Sequence, residues 1–97
     1  MTSVELNSLS AGTLFYLPGH NNTLEERMFL GATPGHNSYL IAHVSVSEQG
    51  EYSPRKPFTV AAYELTGAST DRGTVLRTML GYLEEDLKLI QKQIDAL

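Results

Sequence analysis

The feature that most constrains this chain is a run of seven apolar residues near its C-terminus, spaced alternately four and three apart: Leu76, Leu80, Leu83, Leu87, Ile90, Ile94 and Leu97. In a helix that spacing places the side chains on one narrow stripe, the d and a positions of a heptad repeat. Glu84, Glu85, Asp86, Lys88, Gln91, Lys92 and Gln93 flank the stripe. Ser69, Thr70 and Asp71 can each cap a helix starting near Arg72, because a short side-chain oxygen accepts from the free amides of the first turn. The expected helix runs from about Asp71 to Leu97 and is roughly 39 Å long at 1.5 Å per residue. A stripe this narrow suits another helix better than a broad sheet face. The chain is therefore expected to form a homo-oligomer through a coiled-coil contact.

The two halves of that helix read differently. Val75, Met79 and Tyr82 add a second apolar column in the first half, and only Leu89 continues it. The first half is expected to pack on the chain's own body as well as on a partner, and Leu83 to Leu97 on a partner. A body of seventy residues is about 22 to 25 Å across, so the last turns should project beyond it. Positions e and g hold Arg77, Glu84, Gln91 and Met79, Asp86, Gln93, which form no complementary ladder between parallel helices. Gly81, at an outward position, weakens the helix where it is expected to leave the body.

The preceding residues carry β-type runs bounded by turn residues, so the chain divides into a small β domain at 1–68 and a helix at 69–97. Four strands are expected: Thr13 to Leu17, about Arg27 to Gly31, Ser38 to Ser47, and Phe58 to Leu65. In the third, Leu40, Ala42, Val44 and Val46 alternate with Tyr39, His43, Ser45 and Ser47, which places the first set on the covered face and leaves Ile41 as an exception. Prolines at 54 and 57 mark the approach to the fourth strand as a loop or an edge. Short successive strands imply an α+β fold, a small antiparallel meander or SH3-like barrel followed by one long C-terminal helix.

Composition narrows the function classes. At 97 residues the chain has room for one domain, and a core this small gains from burial between subunits. There is no cysteine, which removes disulfides and thiolate metal sites and favours a cytoplasmic setting. No apolar run approaches the roughly 20 residues of a membrane span. The net charge is −4, and Met1 to Thr70 holds six acidic residues against three basic ones, Arg27, Arg55 and Lys56. Nucleic-acid binding needs a dense basic surface, so neither nucleic acid nor membrane is an expected partner.

One motif repeats, Pro-Gly-His-Asn at Pro18 to Asn21 and at Pro34 to Asn37, sixteen positions apart. Proline suits the second position of a type I or II turn and glycine the positive φ of a type II turn's third position, so two similar reversals are expected. Each would also present a histidine and an asparagine, a titratable group beside hydrogen-bond donors and acceptors. The residues expected to contact a ligand are therefore His20, Asn21, His36 and Asn37 from the turns, Tyr39 and His43 from one strand face, and the cations Arg27, Arg55 and Lys56. A metal site from His20, His36 and His43 with Glu25 or Glu26 matches no ligand spacing of a helix or hairpin, and no metal or cofactor is expected. No glycine-flanked nucleophile or phosphate-cradling loop occurs. The chain is thus expected to be a small, non-enzymatic oligomeric interaction or inhibitor protein, comparable in size and plainness to phage-type accessory proteins, acting on a protein partner. The alternatives are a protein that sequesters a small anionic or nucleotide-like ligand between subunits, and a small enzyme using histidine.

Overall fold

The computed structural model describes residues 1–34 and 37–97, and it is an antiparallel sheet followed by one long helix, the α+β arrangement expected. Strands β1 (Leu14–Pro18), β2 (Leu24–Ala32) and β3 (Ser38–Val46) form a meander. The returning strand comes in two pieces on the far side of β3. Strand β4 (Tyr52–Pro54) pairs with Val44 to Val46, and β5 (Phe58–Ala61) pairs with Ser38 to Ile41. Arg55-Lys56-Pro57 interrupts it, as the prolines at 54 and 57 require, since neither can donate to a ladder. A 3-10 turn follows at Ala62–Leu65, where the fourth strand was expected to continue; the Glu64 carboxylate accepts from the Ala61 amide and ends the extended run. The chain then crosses to the other side of the sheet, where Ser69 and Tyr16 exchange backbone hydrogen bonds of 2.8 and 2.9 Å. The meander, the 3-10 turn and this single bridge to the first strand's free edge complete the β body.

A helix not expected from the sequence precedes the sheet. Helix α1 (Ser3–Asn7) is held by a capping box, the Glu5 amide donating to Thr2 Oγ1 and the Thr2 amide to the Glu5 carboxylate. It carries the fully buried Leu6 into the core with Phe15, Phe29, Tyr39, Ile41, Val60, Leu65 and Ala68. The Met1 nitrogen donates to the carbonyls of Leu65 and Ala68, tying α1 to the segment that crosses the sheet.

This core corrects the reading of β3. The core-facing residues are Tyr39 and Ile41, not the set beginning at Leu40. The register explains it: Phe29 lies opposite Ile41, and Tyr39 opposite Val60. The opposite face is also covered, because Met28 and Ala42 are register partners and both are buried outside that core. A strand covered on both faces loses the simple alternation from which its faces were assigned. Between Phe29 and Gly31 the register slips by one residue, a bulge at which Gly31 takes φ 152°, a value disfavoured for residues with a Cβ.

Helix α2 (Arg72–Asp95) begins at Asp71, whose carboxylate accepts from the Gly73 amide and the Thr74 hydroxyl. Its sheet contacts are chiefly with β1. Val75 is buried and Met79 half-buried, whereas Tyr82, expected to dock with them, is 66% exposed. The molecule extends 55 Å along its longest axis. Its radius of gyration is 16.6 Å, against about 12.5 Å for a compact chain of this length. No helix is long and apolar enough to cross a membrane among the described residues.

Candidate functional site

Two surfaces stand out, the stripe on α2 and one end of the sheet. At 100° per residue the stripe's midline lies about a quarter turn around the helix from Val75, so seating Val75 on the body leaves the stripe uncovered. Leu83 is the least exposed member at 38% and Leu97 the most, while Leu87, Ile90 and Ile94 are each more than half exposed. Leu76 and Leu80, in the half that docks, are exposed as well. The uncovered surface therefore covers the whole repeat rather than its second half alone.

The second surface brings together residues that the sequence left scattered. Arg27 on β2 lies directly opposite His43 on β3, so both occupy the face that carries Phe15, Phe29 and Ile41. On the other side of β3 the Arg55 amide donates to the His43 carbonyl at 2.8 Å, and Arg55 Nε donates to Ser45 Oγ at 3.0 Å. Ser45 is two residues beyond His43, hence on the same face, and it draws the Arg55 guanidinium to that side. His43 thus stands between Arg27 on β2 and Arg55 in the loop just after β4, whose backbones are about 10 Å apart across two interstrand spacings. Its ring lies against Phe58, the centroids 5.3 Å apart.

The two arginines differ in what they hold. Arg27 has only 14% of its side chain exposed; it donates to the Glu25 carboxylate at 2.7 Å and to the Glu26 carbonyl at 2.8 Å. A cation so enclosed needs that pairing, because an unpaired buried charge is costly. Arg55 is exposed, and its side chain has no hydrogen-bond partner except Ser45 among the described residues. Lys56 continues the same loop and is exposed. All three cations of the first seventy residues therefore lie at this part of the sheet or in the loop beside it. Sequence reasoning named Arg27, His43, Arg55 and Lys56 without a reason for their convergence; it named Glu25 only as a fourth ligand of a metal site that it set aside, and it missed Ser45 and Phe58. Period-two spacing was the available signal, since residues 25 and 27 share one face of β2, and 43 and 45 share one face of β3.

Tyr39 and Asn37, also expected among the ligand contacts, do not join this cluster. Tyr39 is only 3% exposed and its hydroxyl donates to Asn7 Oδ1 at 3.1 Å, so it belongs to the core rather than to a ligand surface. The first Pro-Gly-His-Asn turn joins β1 to β2, and the second lies between β2 and β3, with His36 outside the described residues. Consecutive connections of a meander lie at opposite ends of the sheet. The length of β2, roughly 30 Å at 3.3 Å per residue, therefore separates His20 and Asn21 from the segment holding Asn37. One chain therefore does not bring Asn21 and Asn37 to a single pocket.

The first turn also differs from a type II reversal. Gly19 is extended, and the positive φ values fall at Asn21 (56°) and Asn22 (60°). Asparagine tolerates this region better than most residues with a Cβ. Glycine is needed at 19 for space: an added Cβ would lie 2.6 Å from Thr23 Oγ1 and from Glu25 Cγ. Beside the turn, Pro18, Gly19 and Asn22 face Met79, Tyr82, Leu83 and Asp86 of α2 across a cleft of about 270 Å³. A second cleft, about 440 Å³, lies between the start of α1 and the 3-10 turn.

Two carboxylates are held below the usual range by hydrogen bonds. Glu5 is lowered by the Thr2 amide and then by its hydroxyl, and Asp71 by the Thr74 hydroxyl and then by the Gly73 amide. Glu5 closes the capping box of α1 and Asp71 caps α2. No group of three or more histidine, aspartate or glutamate residues able to hold a metal ion comes together among the described residues. Comparison with protein-family models, with curated proteins and with solved structures gives no match.

Proposed function

We propose that this chain is a non-enzymatic interaction or inhibitor protein that works as a homo-oligomer, its copies joined along α2 and their β bodies presented to a protein partner. The uncovered heptad stripe from Leu76 to Leu97 carries this reading, since every one of its seven side chains is at least 38% exposed in the single chain. Full burial of such a side chain is worth roughly 1.5 to 3 kcal/mol, so a second helix on the stripe removes a substantial penalty.

A second copy is the occupant argued for. An identical helix repeats the same spacing over the same length, so every layer of the stripe finds a layer to meet. In a parallel, in-register pair, Met79 faces Glu84 of the partner subunit, and Asp86 faces Gln91 of the partner subunit. These flanking contacts oppose no like charges, although they add no attraction. Docking of Val75 fixes the helix to the body, so the partner helix meets a preformed surface instead of a mobile tail.

The test is the mass of the full-length chain in solution, by sedimentation equilibrium or light scattering, beside that of Leu87→Glu. The expected result is an oligomer for the parent and a folded monomer for the variant. A monomeric parent at high micromolar concentration overturns the reading. A Leu87→Glu variant that keeps the parent's oligomeric mass places the contact elsewhere.

A further inference from the structure

We propose that the cluster around Arg55 and His43 is a binding site for the phosphate group of a small ligand, built on the β body of one chain and independent of assembly through α2. The two arginines have separate tasks. Arg27 has its counter-ion inside the chain, since Glu25 accepts from it at 2.7 Å, and it serves as the fixed wall of the site. Arg55 is tethered through Nε to Ser45, which orients the guanidinium while its two terminal nitrogens keep no partner among the described residues. That free, oriented fork matches two oxygens of an oxyanion. His43 sits between the arginines with its ring steadied by Phe58, and it supplies a further nitrogen beside the fork.

Charge selects phosphate over carboxylate. Glu25 is already matched by Arg27, which leaves Arg55 and Lys56 as two cations on one short loop. A single carboxylate answers one of them, whereas a phosphate monoester carries up to two negative charges and three oxygens. Glu48 and Glu51 lie in the hairpin that links β3 to β4, also at this end of the sheet. They oppose an anion at long range, so the contact depends on the direct fork and not on the general field of an acidic protein. The face is too small and too short of cations for a nucleic-acid backbone.

The site is tested by titrating full-length, isotope-labelled protein with inorganic phosphate at constant ionic strength, with acetate in parallel, while following backbone amide resonances. Phosphate is expected to give saturable shifts centred on His43, Ser45 and Arg55, with acetate binding at least about tenfold more weakly. Arg55→Ala is expected to weaken phosphate at least about tenfold, the usual scale for loss of a charged hydrogen bond. Arg55→Lys, which keeps the charge and loses the fork, should fall between parent and Arg55→Ala, and Lys92→Ala on α2 should bind as the parent does. Unsaturable shifts, equal binding of acetate, or an Arg55→Ala variant that binds as the parent does would each overturn the assignment. Because Leu87→Glu leaves this site intact, failure of assembly and failure of the anion site are separately observable.

Discussion

Phe15 in β1 and Leu87 in α2 are both large apolar residues, yet Phe15 is fully buried and Leu87 is 65% exposed. The difference belongs to the elements that carry them. The sheet has a covering on each side: α1 and the 3-10 turn close the face of Phe15, and Met28 and Ala42 are buried on the other. The helix buries Val75 and half-buries Met79 against the body, and its heptad stripe stays exposed. The chain thus completes its own core with roughly its first three-quarters and keeps an ordered apolar line in reserve.

The largest effect that can break this contrast is expected in the core. Phe15→Ala should cost about 3 to 5 kcal/mol, read by chemical denaturation, with no dependence on protein concentration beyond that of the parent. Leu87→Ala should lower stability only where the parent is oligomeric, so diluting both proteins should bring their unfolding midpoints together. A Leu87→Ala cost that persists on dilution would mean the stripe is covered within one chain.

Two glycines sharpen the contrast at smaller scale. Gly19→Ala places a Cβ 2.6 Å from Thr23 Oγ1 and should destabilise the body by roughly 1 to 3 kcal/mol through overpacking. Gly81→Ala meets nothing within 4 Å and should stabilise the helix by about 1 kcal/mol. If both act as expected, the first lowers the melting temperature and the second raises it, with equal mass per assembly.

The smallest effect concerns acid. Glu5 and Asp71 have lowered carboxyl pKa values in the folded chain, so their capping contribution is present above the unfolded carboxylate range and is lost as pH falls through the folded values. The melting temperature of Asp71→Asn should therefore fall less steeply on acidification than that of the parent. Identical slopes would remove Asp71 from the acid response.

Long-period features were the legible part of this sequence. The heptad run and its caps placed a helix at about Asp71 to Leu97, where α2 spans Arg72–Asp95, and Asp71 is the cap among the three candidates named. Strands β1, β2 and β3 fall where β-type runs were read, with β2 longer at its start by Leu24 to Glu26. What escaped depends on tertiary covering. Helix α1 is only five residues, too short for periodicity, although Thr2 and Glu5 hold the spacing of a capping box. The face of β3 was misread because Ala42 and Ile41 are buried on opposite sides. Convergence of Arg27, His43 and Arg55 depends on strand register, which no local pattern around Arg55 reveals.

The interruption at Arg55-Lys56-Pro57 has a consequence for how copies of this chain avoid one another. An outer strand with continuous unpaired amides invites a strand from a neighbouring molecule. Here the far edge of the sheet is cut into pieces of three and four residues, with a proline ending the first and another directly before the second. At the near edge, Ser69 occupies the middle of β1. Edge-to-edge stacking, the route by which small sheets form fibres, is thus obstructed at both borders, while the stripe on α2 stays uncovered.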